Sequence, residues 1–85
     1  MRQQELVKLR QAVLTACTGR SLYVNDILDA PGVRPFVAAH TERKVRQVIY
    51  ALTQAGLLHR SGDKRYAAYR TTRIGAETLQ LHAAS

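Results

Sequence analysis

One cysteine, no tryptophan, two prolines and six acidic residues are the scarcities of this 85-residue chain. A single thiol cannot build an internal disulfide framework and fits a reducing compartment. No apolar run approaches the roughly 20 residues that a membrane span needs, and Met1–Leu14 alternates polar and apolar residues, unlike a secretory leader. Pro-rich, Gly/Ser-rich and repeated segments are missing, so nothing marks an internal linker. The acids Glu5, Asp26, Asp29, Glu42, Asp63 and Glu77 are scattered, and no spacing forces two carboxylates together. His40, His59 and His82 fall on different elements, no C-x₂-C or H-x₃-H spacing offers a metal site, and no Gly-rich phosphate loop occurs. These absences predict a chain that is not an enzyme, holds no metal or cofactor, avoids membranes and works in the cytoplasm. Its length predicts one domain, 1–85, that buries about 60–65% of its unfolded surface, with no room for a second domain or a deep cofactor pocket.

Charge of one sign is what the chain has in excess. Thirteen Lys and Arg face six Asp and Glu, for a net charge of +7 and a pI near 10.3. Arg43, Lys44, Arg46, Arg60, Lys64, Arg65, Arg70 and Arg73 stand against Asp63 alone. That stretch carries the whole excess, because the bases and acids elsewhere cancel. Ten of the thirteen bases are Arg, whose planar fork matches phosphates and guanine edges. The composition therefore points to a polyanion, DNA or RNA, which charge alone does not tell apart; a solvated basic surface is the plainer alternative.

Hydrophobic period divides the chain into elements. Leu6, Leu9, Val13 and Ala16–Cys17 form one stripe, which predicts a helix from Gln4 to Thr18 that stops at Gly19, with Cys17 turned inward as a small apolar residue. Ser21–Leu22–Tyr23 reads as extended. Val24–Asp29 reads as a short helix, with Asn25 and Asp26 placed to take unpaired amide protons, ended by Pro31–Gly32. From Gly32 to His40 two readings stand: Pro35 opens a separate turn, or it starts one long helix running into the next element. Thr41–Ala55 is the strongest helix. Val45, Val48, Ile49 and Leu52 share one face, while Arg43, Gln47, Tyr50 and Gln54 occupy the opposite one with Lys44 and Arg46 on its flanks.

After Gly56 the period shifts to two, which predicts a β-hairpin over Leu57–Tyr69 turning at Gly62–Asp63. That register sets Ser61 against Lys64, Arg60 against Arg65 and His59 against Tyr66. The opposed arginines repel unless a phosphate lies between them; a four-residue loop is the alternative. Tyr66 and Tyr69 read as core or strand residues, too few to stack unpaired RNA bases on an open sheet. A last helix runs from Thr72, its cap, to about His82, with Ile74, Leu79 and Thr78 turned inward.

This order resembles a winged helix-turn-helix domain, an α+β and mainly α fold with a three-helix core, a two-stranded wing and a C-terminal helix. Val45–Arg46–Gln47–Val48–Ile49, Leu52 and Ala55–Gly56–Leu57–Leu58 are similar to the "TVRRAL…L…GLL" run of bacterial winged-helix regulators. Tyr69–Arg70–Thr71–Thr72–Arg73–Ile74–Gly75 resembles their "Y-x-L-T-x-x-G" passage, with Thr71 replacing a leucine and so predicting a looser corner. Tyr23–Val24–Asn25–Asp26–Ile27 is similar to the start of their second helix, without its Ser or Thr cap. The stretch before the third helix is longer than their tight turn.

The resemblance implies that helix 41–55 enters the major groove of double-stranded DNA and that the 57–69 hairpin touches backbone or minor groove. Arg43, Lys44, Arg46, Gln47 and Tyr50 would then lie at the groove, and Arg60, Lys64 and Arg65 on the wing. Arg43, Arg46 and Gln47 suit base edges, and Lys44, Arg60, Lys64 and Arg65 suit phosphates. Tyr50 divides between a phosphate contact and packing against the wing. The implied function is a sequence-specific, nucleoid-associated transcriptional regulator of bacterial or phage type. It would repress by occlusion as a homodimer joined through its first and last helices, with no small-molecule effector. The alternatives are a winged-helix module for RNA or protein, or a phage or plasmid recombination or replication accessory factor.

Overall fold

The computed structural model describes residues 1–63 and 66–83, and the predicted site residues Lys64 and Arg65 lie outside that set. In chain order the elements are α1 (Gln3–Ala16), β1 (Leu22–Tyr23), α2 (Val24–Asp29), α3 (Arg34–Ala39), α4 (Glu42–Gln54), β2 (Leu58–Ser61), β3 (Ala68–Thr71) and α5 (Arg73–Ala83). The described residues form an α+β, mainly helical fold with five helices and one three-stranded antiparallel sheet. None of these helices is long and apolar enough to cross a membrane.

The stripe on α1 buries Leu9, Val13 and Leu14, with Leu6 half-buried and Cys17 fully buried just past the last turn. Burial pushes the Cys17 thiol up to about 11, against a smaller opposing pull from Arg20. Helix C-termini leave carbonyls without partners, and here each finds one. The Cys17 amide donates to Val13 O at 3.1 Å, and that of Thr18 donates to Thr15 O at 3.2 Å. Leu14 O accepts both the Thr18 hydroxyl at 2.7 Å and the Thr71 hydroxyl at 2.6 Å. Ala16 O accepts Arg20 Nε at 3.1 Å, and Cys17 O accepts the Thr71 amide at 3.1 Å. Thr71 therefore ties β3 to the end of α1, so the corner expected to be loose is a hydrogen-bonded joint.

Asp26 takes the amide of Tyr23 at 3.2 Å at the start of α2, which buries Ile27 and Leu28. The segment before α4 is a separate short helix, α3, with Pro35 in its first turn, where a missing N–H leaves no bond unmade. The two helices cannot merge, because Thr41 between them is extended at φ −153° and ψ 158°. Its hydroxyl oxygen accepts the amide of Lys44 at 3.1 Å and so caps α4. Just before that cap, His40 Nε2 meets Glu5 Oε2 at 2.8 Å and joins the α3–α4 connection to α1.

Val45, Val48, Ile49 and Leu52 of α4 pack against α1, α2 and the sheet. The helix ends in a Schellman motif: Gly56 at φ +79° donates to Thr53 O at 3.1 Å, and Leu57 donates to Leu52 O at 2.9 Å.

The hairpin departs from its expected register. β2 and β3 pair Leu58 with Thr71, His59 with Arg70, Arg60 with Tyr69 and Ser61 with Ala68. Arg60 thus does not oppose Arg65, and His59 does not oppose Tyr66. β1 accounts for the change. It pairs with β3 through Leu22–Tyr69 and Tyr23–Ala68, making β3 the central strand. That pairing, with the anchorage of Thr71 on α1, holds β3 to residues 68–71 and leaves Gly62, Asp63, Tyr66 and Ala67 outside both strands. The shift is even in number, so each side chain keeps its face of the sheet. Tyr69 is buried, whereas Tyr66 lies in the connection at 71% exposure, neither core nor strand.

Thr72 caps α5 by accepting the amide of Gly75 at 3.1 Å, while its own hydroxyl donates to Gly56 O at 2.7 Å. Leu79 turns inward, Thr78 is half-buried, and Ile74 is 59% exposed, contrary to expectation. At about 100° per residue Ile74 and Leu79 lie about 140° apart around α5, so one helix face cannot bury both. Gly75 decides the choice, because it is buried against the backbone of Leu57.

Candidate nucleic-acid interface

The buried stripe of α4 fixes what the helix shows outward. Arg43, Lys44, Arg46, Gln47, Tyr50 and Gln54 are all exposed. Thr41, Glu42, Arg43, Arg46, Gln47 and Tyr50 line one open depression along this helix. Four predicted site residues thus share this depression, with forked, amide and phenol groups, while Lys44 borders a separate groove on the α1 side of the helix. Tyr50 is 61% exposed and belongs to this surface.

One residue there escaped the sequence reading. Glu42 Oε2 lies 3.9 Å from Arg46 Nη2, both side chains more than half exposed. The i,i+4 spacing from Glu42 to Arg46 was the available signal. Such a pair contributes at most about 0.5 kcal/mol to the helix, but it offsets Arg46 as a free cation. Among the described residues no carboxylate lies within ion-pair distance of Arg43, Lys44 or Arg60.

The basic stretch does not gather on one surface. Arg60 is exposed on β2, on the sheet face that also carries Leu58 and Tyr69. Arg70 is exposed on the other face, opposite His59. Arg73 lies on α5 with Nε 3.4 Å from Glu77 Oε1. A second omission is Arg10 of α1, which lines a groove with Lys44 and Gln47. Sequence alone offers no signal for it, since the crossing of α1 on α4 is a product of packing. No protein-family model matches the chain, and no curated protein or solved structure matches it.

Proposed function

We propose that the protein is a winged-helix, sequence-specific double-stranded DNA-binding regulator that inserts α4 into the major groove. The observation that carries this reading is the outer face of α4, where Arg43, Lys44, Gln47 and Tyr50 are exposed with one acid among them. Arg43 and Gln47 have the donor geometry that reads guanine and adenine edges, and Lys44 supplies a point charge for phosphate. Glu42 is an acceptor at the same surface and suits the amino group of cytosine. An α-helix fits the width of the major groove of B-DNA, and the β2–β3 connection with Lys64 and Arg65 supplies the wing.

DNA is favoured over single-stranded RNA because Tyr69 is buried, leaving Tyr23 and His59 as the sheet's exposed rings, a small platform for stacking bases. The scattered acids and histidines favour a binding protein over an enzyme. One module of this size contacts a limited area of DNA, so a homodimer on two half-sites about one turn apart suits this reading. Occupying such a site blocks a promoter without an effector.

The test is binding to random duplex DNA and duplex RNA over a salt series, with wild type and Arg43→Ala. Wild type should bind DNA with a log–log salt slope of about −5 per protomer, and Arg43→Ala should weaken it. Preference for RNA, or no DNA binding at about 0.1 mM protein, would overturn the proposal.

A further inference from the structure

Arg10 lies in the part of the sequence whose charges cancel, yet in the fold it reaches the border of the α4 surface. It lines one groove with Lys44 and Gln47, over Leu6, Val48 and Ala51. Taking Arg43 as the centre of the outer face, Gln47, Ala51 and Lys44 lie about 40°, 80° and 100° around α4 toward α1. Arg46 and Glu42 lie about 60° and 100° the other way.

The two flanks are chemically unlike. On the far flank Glu42 offsets Arg46 and repels a phosphate. On the α1 flank two bases from two helices face one groove, and no acid lines it among the described residues. Arg10 also borders a small cavity with Leu14, Leu52 and Leu57, and the residue is exposed. Its planar guanidinium loses little freedom per hydrogen bond when it grips two phosphate oxygens.

We propose that Arg10 is a phosphate contact which, with Lys44, holds the DNA strand running along the α1 side of α4. This inference rests on the DNA reading of α4. It makes the docking asymmetric: one backbone strand lies across the α1–α4 groove, and the Glu42 flank turns toward bases. Arg10 supplies affinity and orientation without sequence preference.

The experiment is a salt titration on random-sequence duplex DNA with wild type, Arg10→Gln, Arg10→Lys, Lys8→Gln and Arg43→Ala. Gln and Lys keep an unbranched, helix-compatible aliphatic stem at residue 10. Lys8 is the control for net charge, exposed on a different surface of the same helix with Gln3, Gln4, Val7 and Gln11. Arg10→Gln should make the salt slope shallower by about 0.9 and weaken binding several-fold, while Arg10→Lys and Lys8→Gln keep the wild-type slope. A wild-type slope in Arg10→Gln, with binding still weakened by Arg43→Ala, would remove Arg10 and leave the α4 reading standing. Equal loss in Lys8→Gln, or a shallower salt slope in Arg10→Lys, would also overturn the assignment. Failure of wild type to bind DNA would overturn both readings.

Discussion

Replacing Thr71 by valine keeps shape and strand preference but deletes the hydroxyl that donates to Leu14 O at 2.6 Å. The lost bond should cost about 1 kcal/mol, the usual net value of an intramolecular hydrogen bond. The carbonyl is not orphaned, because the Thr18 hydroxyl still donates to it at 2.7 Å. Thr18 is exposed, so Thr18→Val alone should cost about 0.5 kcal/mol, at the low end of that range. The double variant differs in kind: Leu14 is almost wholly buried, and its carbonyl would have no donor left. A stranded acceptor costs about 1–3 kcal/mol, so the double should exceed the sum of the singles by about 1 kcal/mol or more. Urea unfolding of the four proteins reads this cycle, with melting-temperature losses of about 4–8 °C per kcal/mol at this chain length. A strictly additive cycle, or a Thr71→Val protein as stable as wild type, would refute the side-chain part of the joint between β3 and α1, since valine keeps the amide bond to Cys17 O.

Gly75→Ala should destabilise by about 2 kcal/mol or more, since a methyl there overlaps the Leu57 carbonyl oxygen and backbone must move; a melting scan checks it. Cys17 should resist a disulfide reagent at pH 8 until the chain unfolds, because burial holds it as the neutral thiol up to about pH 11, and fast labelling of native protein would contradict this. The native state then keeps a proton that the unfolded state sheds near pH 9. The Cys17 contribution to stability should therefore fall as pH rises from about 9 to about 11, read as a shift in urea midpoint. Glu42→Gln should move two readouts in opposite directions. It should lower helix stability by about 0.5 kcal/mol through loss of the Arg46 pair and the first-turn acid, and tighten non-specific DNA binding several-fold, by melting and by titration on random duplex.

Where local chemistry decided the outcome, the sequence was readable. The stripe Val45, Val48, Ile49 and Leu52 reports α4 and so its outer face, Gly56 reports its end, and Asp26 reports the start of α2. Tertiary contacts decided the rest. β1 is two residues long and shows no period of its own; joined to β3, it still moved the hairpin register and set Arg60 opposite Tyr69. Thr71 departed from an apolar pattern, and its role emerges only once Leu14 O is seen within reach, 57 positions away in the chain. Ile74 is apolar but five positions from Leu79, and it lost the interior to Gly75, whose smallness matters because Leu57 backbone lies against it. The charge run was legible as a sum and not as a surface, since Arg70 lies on the sheet face opposite that of Arg60, Arg73 lies on α5, and Arg10 joined the border of the α4 face.

The most direct test of α4 as a reading head is selection from a random duplex library by wild type and Gln47→Ala. Wild type should enrich one motif, and Gln47→Ala should relax it at a single base pair while the other positions hold, a discrimination loss of about 1–3 kcal/mol at that pair. No enriched motif, or a motif unchanged by Gln47→Ala, would contradict the account.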